Sequence, residues 1–294
     1  MEQEKRIIYH VGVSGGKDSG AVLLWMVHES GIPREQIVAT FCDTGNEIEE
    51  TYEHVRLMSE KIHPIETIYP PLDFYALARK KKRFPSTKAR FCTQDLKMKP
   101  SKDYIDNLMR EGFTVVAVSG VRADESFERS QLPEHGHPMD SYYGIEEWRP
   151  LLNWEIEDVF LIHKRYGIPM NPLYAQGAKR VGCFPCIMSR KSEIRLIADK
   201  WPERINFLRD QEWGDGVFRS FFARNKVPLT HRTKEITTKD GEQMLVATID
   251  DVVAWTRTKD HKKKNQRQFV LDFWFDDEMS DDAGLCPSTM GTCE

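Results

Sequence analysis

The chain has 294 residues, of which 40% are hydrophobic and 30% charged, a composition that allows a buried core and excludes a wholly disordered protein. The 42 basic and 46 acidic residues leave a net charge of -4, so a nucleic-acid partner would have to be met by a local basic patch. No apolar run approaches the ~20 residues of a membrane span, and the charged N-terminus is unlike a secretory signal. We therefore expect a cytoplasmic protein with no membrane partner. Six cysteines are too few for a disulfide scaffold and favour reduced thiols, metal binding or redox chemistry.

Predicted strands and helices alternate through the first half of the chain. Apolar runs typical of strands lie at 6–13, 36–42, 64–69 and 113–120, and helices are predicted at 20–30, 47–62, 94–111 and 155–166. Nearly continuous apolar strands that alternate with helices are typical of a parallel sheet covered on both faces. The pattern thus predicts an α/β, Rossmann-like fold, with a basic loop at 79–90 after the third strand.

The composition changes near residue 168. Residues 167–189 are rich in Gly, Pro and Cys, a helix is predicted over 190–210, and the run LVATID is strand-like. We therefore expect two domains: an α/β nucleotide-binding domain over 1–168, and a smaller C-terminal region over 169–294 that contains a C-x-x-C metal or cluster site.

The strongest local signal is the hexapeptide SGGKDS at 14–19, between the first strand and the first helix. Its two glycines let the backbone turn sharply towards a ligand, and the positive end of the helix favours an anionic phosphate. Lys17 adds a point charge, and Ser14 and Ser19 add hydroxyl donors. It is not the common nucleoside-triphosphate loop, since Asp18 stands where that motif has Ser or Thr. An ordinary glycine turn is the alternative interpretation.

SGGKDS resembles the pyrophosphate loop (PP-loop) of the ATP pyrophosphatase superfamily. The segments 43–47 (DTGNE), 119–129 (SGVRADESFER) and 149–159 (RPLLNWEIEDV) are similar, in the same order, to segments of its phosphoadenosine phosphosulfate reductase-like family. The resemblance covers about residues 6–210. It implies an adenine nucleotide alpha hydrolase-like fold, ATP with Mg²⁺ as bound groups, and a loop that holds pyrophosphate. The residues that it implies for nucleotide binding are Ser14, Gly15, Gly16, Lys17, Asp18, Ser19, Asp43, Gly120 and Arg122.

These segments follow predicted strands, and open α/β sheets bind ligands at the carboxyl ends of their strands. Guanidinium groups bind phosphate bidentately, and Glu125 could orient either Arg122 or Arg129. Asp43 could accept a hydrogen bond from a ribose hydroxyl or hold Mg²⁺. Two alternatives stay open: that Asp43 caps a turn, and that Arg122 and Glu125 form a structural pair. Catalytic roles are expected for Lys17, Asp18, Arg122 and Arg129.

The segment 183–186, Cys-Phe-Pro-Cys, has the thiol spacing of structural zinc sites and iron–sulfur clusters. In the resembled adenylylsulfate reductases, a Cys-Cys pair and a later C-x-x-C bind a [4Fe-4S] cluster. Phe91 replaces one cysteine of that pair here, so Cys92, Cys183 and Cys186 match three ligands. A fourth ligand could come from Cys286 or Cys293, or one iron could keep an open coordination position. Alternatives are a zinc site of Cys183, Cys186, Cys286 and Cys293, or unrelated thiols, and Cys42 is predicted as a buried small hydrophobe.

Three functions are compatible with these features. The first is a PP-loop ATP pyrophosphatase that adenylates an acceptor for sulfur transfer, as in nucleic-acid thiolation such as DNA phosphorothioate modification, with a cysteine desulfurase as sulfur donor. The basic loop, able to contact a phosphate backbone, favours it. The second is a sulfonucleotide reductase, although the tail lacks that family's Cys-Gly-Leu-His motif. The third is a non-catalytic, zinc-stapled nucleotide-binding subunit; a homodimer stays open in each case.

Overall fold

The structure, a computed structural model, describes residues 6–213, 221, 227–237 and 240–258. Its strands, in chain order, are β1 (Ile7–Val13), β2 (Ile37–Cys42), β3 (Ile65–Ile68), β4 (Thr114–Val118), β5 (His135–Gly136), β6 (Glu147–Trp148), β7 (Lys234–Thr237) and β8 (Gln243–Val246). Six of them form a sheet in the order β3-β2-β1-β4-β6-β5, parallel except where β5 meets β6. The strands β7 and β8 form a separate antiparallel pair. The predicted Rossmann-like α/β fold is confirmed.

The helices lie between the strands and after them. They are α1 (Lys17–His28), α2 (Glu49–Lys61), α3 (Phe74–Lys81), α4 (Phe91–Thr93), α5 (Lys99–Arg110), α6 (Phe127–Ser130), α7 (Ile156–Arg165), α8 (Lys191–Lys200), α9 (Pro202–Gln211) and α10 (Ile249–Thr256), with a π-helical turn at Gln94–Met98. None of the helices in the described ranges is both long and apolar enough to cross a membrane.

The central strand β1 lies between β2 and β4. Its register pairs Val13 with Phe41 and Val11 with Val118, so the carboxyl ends of the three strands meet at one edge. Within the sheet, the chain adds β2 and then β3 on one side of β1, and afterwards adds β4 on the other side of β1. The edge between β1 and β4 is therefore a topological switch point, where open α/β sheets bind ligands.

One hydrophobic core lies between the sheet and α1. The side chains of Leu23, Leu24 and Met26 on this helix are fully buried, because α1 packs against the sheet on one side and against α7 on the other. This double packing explains why the α1 sequence is apolar on most of its faces. It also fixes the first turn of α1, which carries the phosphate loop.

A second core crosses the predicted domain boundary. It contains Phe74 and Leu96 from before residue 168 together with Leu173, Ile194 and Ile205 from after it. The boundary at 168 stays a prediction, but the cysteine-containing segment packs directly on the α/β layer. The site described below is built in that contact.

Two sequence predictions of secondary structure were wrong in detail. The single helix predicted over 190–210 is two helices, α8 and α9. Pro202 has no backbone N–H to donate within a continuing helix, and it is suited to the first turn of a new one. The predicted basic loop at 79–90 begins inside α3, which ends where Lys82 adopts a left-handed conformation with φ 54°.

Candidate active site

The phosphate loop, residues 14–19, leaves β1 and enters α1. Gly15 has a φ of +72°, and a Cβ there would lie 2.8 Å from the Thr51 side chain, so only glycine fits. The backbone amide of Ser14 donates to Ser19 Oγ at 3.1 Å, and Ser19 Oγ donates to the Gly16 carbonyl at 2.8 Å. These bonds close the loop on itself, and a preformed loop can present its amides to an anion without a large loss of entropy.

Three charged residues meet at the start of α1. Lys17 Nζ lies 2.5 Å from Asp18 Oδ2, and Arg122 Nε donates to Asp18 Oδ1 at 2.8 Å. The Arg122 side chain is only 3% exposed. Burial acts to raise the pKa of Asp18, but the charges and hydrogen bonds of Lys17 and Arg122 outweigh burial and lower that pKa. Asp18 therefore stays ionised and holds both cations beside the loop.

The segment after β4 reaches the loop through Gly120. A Cβ at Gly120 would lie 2.4 Å from the Asp18 carbonyl oxygen, so glycine permits the approach that brings Arg122 to Asp18. The Arg122 guanidinium thus pairs with Asp18, whereas Glu125 accepts a hydrogen bond from the Arg122 amide at 3.1 Å and forms an ion pair with Arg129. The structure brings Lys17, Asp18 and Arg122 together and places Arg129, which is 43% exposed, on Glu125.

One residue of α7 and two from the segment between α7 and the C-x-x-C hold the loop backbone. His163 Nε2 lies 2.9 Å from the Lys17 carbonyl oxygen, Asn171 Nδ2 donates to the Gly15 carbonyl oxygen at 3.2 Å, and the Lys17 amide donates to the Tyr174 hydroxyl at 3.1 Å. Burial lowers the pKa of His163 and raises that of Tyr174, so both side chains stay neutral at pH 7. The sequence interpretation missed all three, because no pattern in the sequence marks them as neighbours of residues about 150 positions earlier.

Asp43 adopts the turn-capping role that stood as the alternative. Its Oδ1 accepts hydrogen bonds from the Gly45 amide at 2.8 Å and from the Tyr52 hydroxyl at 2.7 Å. Gly45 has a φ of +69°, as a turn of this kind requires. A role for Asp43 towards Mg²⁺ or ribose stays a prediction.

A cavity of about 260 Å³ joins the loop to the cysteines. Its walls include Ser14 of the loop, Thr44 and Lys97, and the thiol-bearing residues Cys92, Cys183 and Cys186. Three cysteines from two distant segments thus line one space with Ser14 of the phosphate loop. Cys42 does not line it; its Sγ lies 3.3 Å from Ser101 Oγ.

The cysteine wall of the cavity, defined as Cys92, Cys183 and Cys186, contains two thiols that burial keeps protonated, those of Cys92 and Cys183. Burial raises the pKa of Cys183 to about 12 and also raises the pKa of Cys92. Cys183 Sγ lies 3.6 Å from a carboxylate oxygen of Glu47, which is 4% exposed. The negative charge that Cys183 carries once it ionises and the Glu47 carboxylate raise the pKa of Lys97, against the opposing effect of burial. Glu47 and Lys97 were absent from the predicted site, although both lie in segments that the sequence singled out.

The wall is not a preformed ligand group. In the parts of the chain that the structure describes, no three His, Cys, Asp or Glu side chains are gathered closely enough to hold a metal ion. The three cysteines nevertheless line one cavity, and as soft donors their thiols suit iron–sulfur or zinc. Cys286 and Cys293 lie outside the described residues, so their predicted roles as ligands are untested.

Basic side chains flank this cavity. Arg90, from the predicted basic loop, and Arg180 both line it, and both are exposed. Elsewhere in that loop, Lys81 lies 3.7 Å from Asp95 and Arg83 stacks over the Phe91 ring. The second basic run, 261–267, lies outside the described residues. The basic residues that line the cavity are therefore Arg90, Arg180 and Lys97.

The sequence matches proteins whose names bear on this site. It is 37% identical over 250 residues to an uncharacterized 37.8 kDa protein of Escherichia phage 186, covering 69% of this chain and 73% of that protein. It is 36% identical over 84 residues to the adenosine 5'-phosphosulfate reductase of Allochromatium vinosum, covering 29% of this chain and 32% of the reductase. A solved phosphoadenylyl-sulfate reductase from Candida auris is similar with 20% identity and a TM-score of 0.46, over 60% of this chain and 82% of that one.

The chain thus spans about a third of the Allochromatium reductase. The sequence pattern of the phosphoadenosine phosphosulfate reductase domain, in contrast, matches residues 8–189, which include the phosphate loop, Arg122 and the whole cysteine wall. The chain therefore belongs to the phosphoadenosine phosphosulfate reductase domain family, within the PP-loop superfamily.

Proposed function

We propose that the protein is a PP-loop ATP pyrophosphatase that adenylates an acceptor and so prepares it for sulfur transfer. One observation carries the proposal: the cavity that Ser14 of the phosphate loop lines is also lined by Cys92, Cys183 and Cys186. A nucleotide held by the loop and hydrosulfide bound at the cysteine wall would share one space.

In the activation step, an oxygen of the acceptor attacks the α-phosphorus of ATP. The bond from that phosphorus to the oxygen bridging to the β-phosphorus breaks, and pyrophosphate leaves with the electron pair. The loop amides, Lys17 and Arg122 would stabilise the negative charge that develops on the leaving group. Asp18 keeps both cations oriented, as its contacts at 2.5 and 2.8 Å indicate. Mg²⁺, the expected partner of ATP, would neutralise further phosphate charge.

In the sulfur step, hydrosulfide attacks the adenylated atom of the acceptor. AMP leaves with the acceptor's former oxygen, and the sulfur loses its proton, so no oxidant or reductant is consumed. A [4Fe-4S] cluster held by Cys92, Cys183 and Cys186 would supply an iron site that binds sulfur, and zinc at the same thiols is the alternative. A cysteine desulfurase is the proposed source of sulfur in the cell; it delivers sulfur as a persulfide, and a cellular dithiol would reduce that persulfide to hydrosulfide, becoming a disulfide, before the sulfur step.

The exposed Arg90 and Arg180 at the cavity favour a polyanionic acceptor, because guanidinium groups pair with backbone phosphates. We therefore propose nucleic acid as the acceptor class, with DNA phosphorothioate modification as the specific case. A sulfonucleotide reductase is the second candidate, favoured by the 36% identity with the Allochromatium reductase over 84 residues.

The test is a pair of assays on the full chain, purified without oxygen and analysed for iron, zinc and sulfide. Pyrophosphate and AMP release from ATP is measured with sulfide and with duplex DNA, transfer RNA or no acceptor; sulfite release from adenylyl and phosphoadenylyl sulfate is measured with thioredoxin. We expect acceptor-dependent pyrophosphate release and sulfur incorporation into nucleic acid. Sulfite release without pyrophosphate would establish the reductase, and neither product would establish the non-catalytic subunit.

Two cysteine variants sharpen this test. Cys183→Ser is expected to abolish sulfur incorporation while pyrophosphate release persists, because Cys183 lines the cavity but does not contact the loop. The matched control, Cys42→Ser, changes a thiol outside the cavity and should leave both products unchanged. Equal losses in the two variants would contradict a special role for the cysteine wall.

A further inference from the structure

The backbone of the segment 183–186 is held by a buried residue of another loop. The Phe184 amide donates to the Asn46 carbonyl oxygen at 2.6 Å, and Asn46 Nδ2 donates to the Pro185 carbonyl oxygen at 3.1 Å. Asn46 itself is fully buried, and the Tyr75 hydroxyl donates to its Oδ1 at 3.0 Å. One asparagine thus satisfies an amide and a carbonyl that lie between the two cysteines.

A single guanidinium group also joins the same two loops. Arg204 in α9 donates through Nε to the Phe184 carbonyl oxygen at 3.0 Å. Through one terminal nitrogen it also reaches Asn46 Oδ1 at 3.2 Å and the Glu47 carbonyl oxygen at 3.3 Å. A planar fork of donors can bridge oxygens on two segments at once, which a lysine ammonium on its flexible stem cannot reproduce.

The bridge also reaches the group that faces the thiol. Glu47, whose carbonyl oxygen Arg204 contacts, places a carboxylate oxygen 3.6 Å from Cys183 Sγ. Arg204 therefore acts on the backbone that carries the thiols and on the backbone that carries their acidic neighbour. Hydrogen bonds from a charged donor contribute more than neutral ones, so this residue dominates the contact between the loops.

We propose that Arg204 and Asn46 are positioning residues for the thiol pair: together they clamp the Cys183–Cys186 segment against the Asn46–Glu47 turn and so fix both sulfurs in the cavity wall. Their importance for sulfur transfer rests on the proposed function, but the clamp is a property of the folded chain. It gives α9, which lies beyond the matched family region, a role at the site.

The test measures how fast each thiol reacts with iodoacetamide in the reduced, chelator-treated full chain, with mass spectrometry to resolve the cysteines. The variants are Arg204→Gln and the more conservative Arg204→Lys. The control is Arg209→Gln on the same helix, which removes a bidentate pair with Asp250 at 2.7 and 2.8 Å and touches no cysteine segment. Arg204→Gln is expected to speed alkylation of Cys183 and Cys186 by about tenfold, because the opening of this segment becomes easier. Cys42 and Cys92 should stay within about twofold of wild type, as should all four in the control.

The ratio of rates separates positioning from general stability. A merely structural role would speed all four thiols together, and that result, or no change at Cys183 and Cys186, overturns the proposal. If Arg204→Gln does not fold, Arg204→Lys is the deciding variant. In it we expect alkylation about threefold faster than in the wild type, confined to the same two thiols. Because no step of the assay needs ATP or a sulfur acceptor, a failed clamp and a failed sulfur-transfer activity give different results.

Discussion

The phosphate loop and the cysteine wall line the same cavity but are built by opposite means. At the loop, paired charges keep Asp18 ionised despite its burial, and the pKa of its carboxyl is lowered. At the wall, burial dominates and raises the pKa of Cys183 to about 12. Burial thus has opposite outcomes, because Lys17 and Arg122 outweigh it at Asp18, whereas at Cys183 the cation Lys97 does not outweigh burial and the Glu47 carboxylate adds to it. The loop is therefore a charged side that suits phosphate, and the other side presents the protonated Cys183 thiol.

The largest effect is expected from breaking the charge pairing at the loop. Arg122→Gln would leave the partly buried Asp18 with Lys17 alone and should lower the free energy of unfolding by about 3 kcal/mol. Urea denaturation followed by circular dichroism measures it. The matched control is Arg56→Gln, which breaks an exposed pair with Glu49 and should cost at most about 1 kcal/mol. Equal losses in both variants would mean that the buried pair has no special weight.

Removing Lys17 tests whether the phosphate loop binds the phosphates of ATP. Lys17→Ala should weaken ATP binding by about 10- to 100-fold, the effect of losing one charge-assisted hydrogen bond. Isothermal titration calorimetry gives the dissociation constant, and Lys61→Ala, at an exposed lysine in α2, is the control. Unchanged ATP affinity in Lys17→Ala would remove the loop from the nucleotide site.

The protonated state of the Cys183 thiol predicts a pH dependence of its reactivity. Iodoacetamide reacts with thiolate, and the pKa of Cys183 lies near 12. In metal-free protein, the rate at which Cys183 is alkylated should therefore rise about tenfold per pH unit from pH 7 to 10 without levelling off. In the urea-unfolded chain the same residue should level off near its ordinary pKa of 9.0. A folded-state plateau below pH 9 would mean that the wall holds a thiolate.

The smallest effect is expected where a neutral group meets the loop. Tyr174→Phe removes the hydroxyl that accepts from the Lys17 amide at 3.1 Å and should change the free energy of ATP binding by about 1 kcal/mol. The same titration measures it, with Tyr69→Phe at an exposed tyrosine as the control. A change as large as that of Lys17→Ala would make Tyr174 part of the charged side rather than a backbone tether.

The phosphate loop could be predicted because its information is local. The hexapeptide at 14–19 contains its own glycine turn, helix start and lysine, and the structure keeps all of them adjacent. The C-x-x-C spacing was likewise visible, and the alternating apolar runs gave the parallel sheet. The wrong prediction of one helix over 190–210 also has a local cause, because Pro202 divides this segment into α8 and α9.

The partners of those motifs could not be predicted from the chain. Arg122 meets Asp18 across 104 positions of sequence, and Arg204 meets Asn46 across 158. No periodicity or spacing links such residues, since their proximity depends on how whole elements pack. Glu125 was the sequence-near partner considered for Arg122, and the fold selected the distant Asp18 instead.

By itself, then, the sequence determined the elements, the loop, the thiol spacing and the family resemblance, all of which are encoded in windows of a few to about twenty residues. Only the tertiary structure decided that Ser14 and three cysteines line one cavity, that Asp43 caps a turn, and that Arg204 holds the cysteine segment. The physical reason is that burial and pairing are properties of a packed environment, and that environment exists only after distant segments have been brought together.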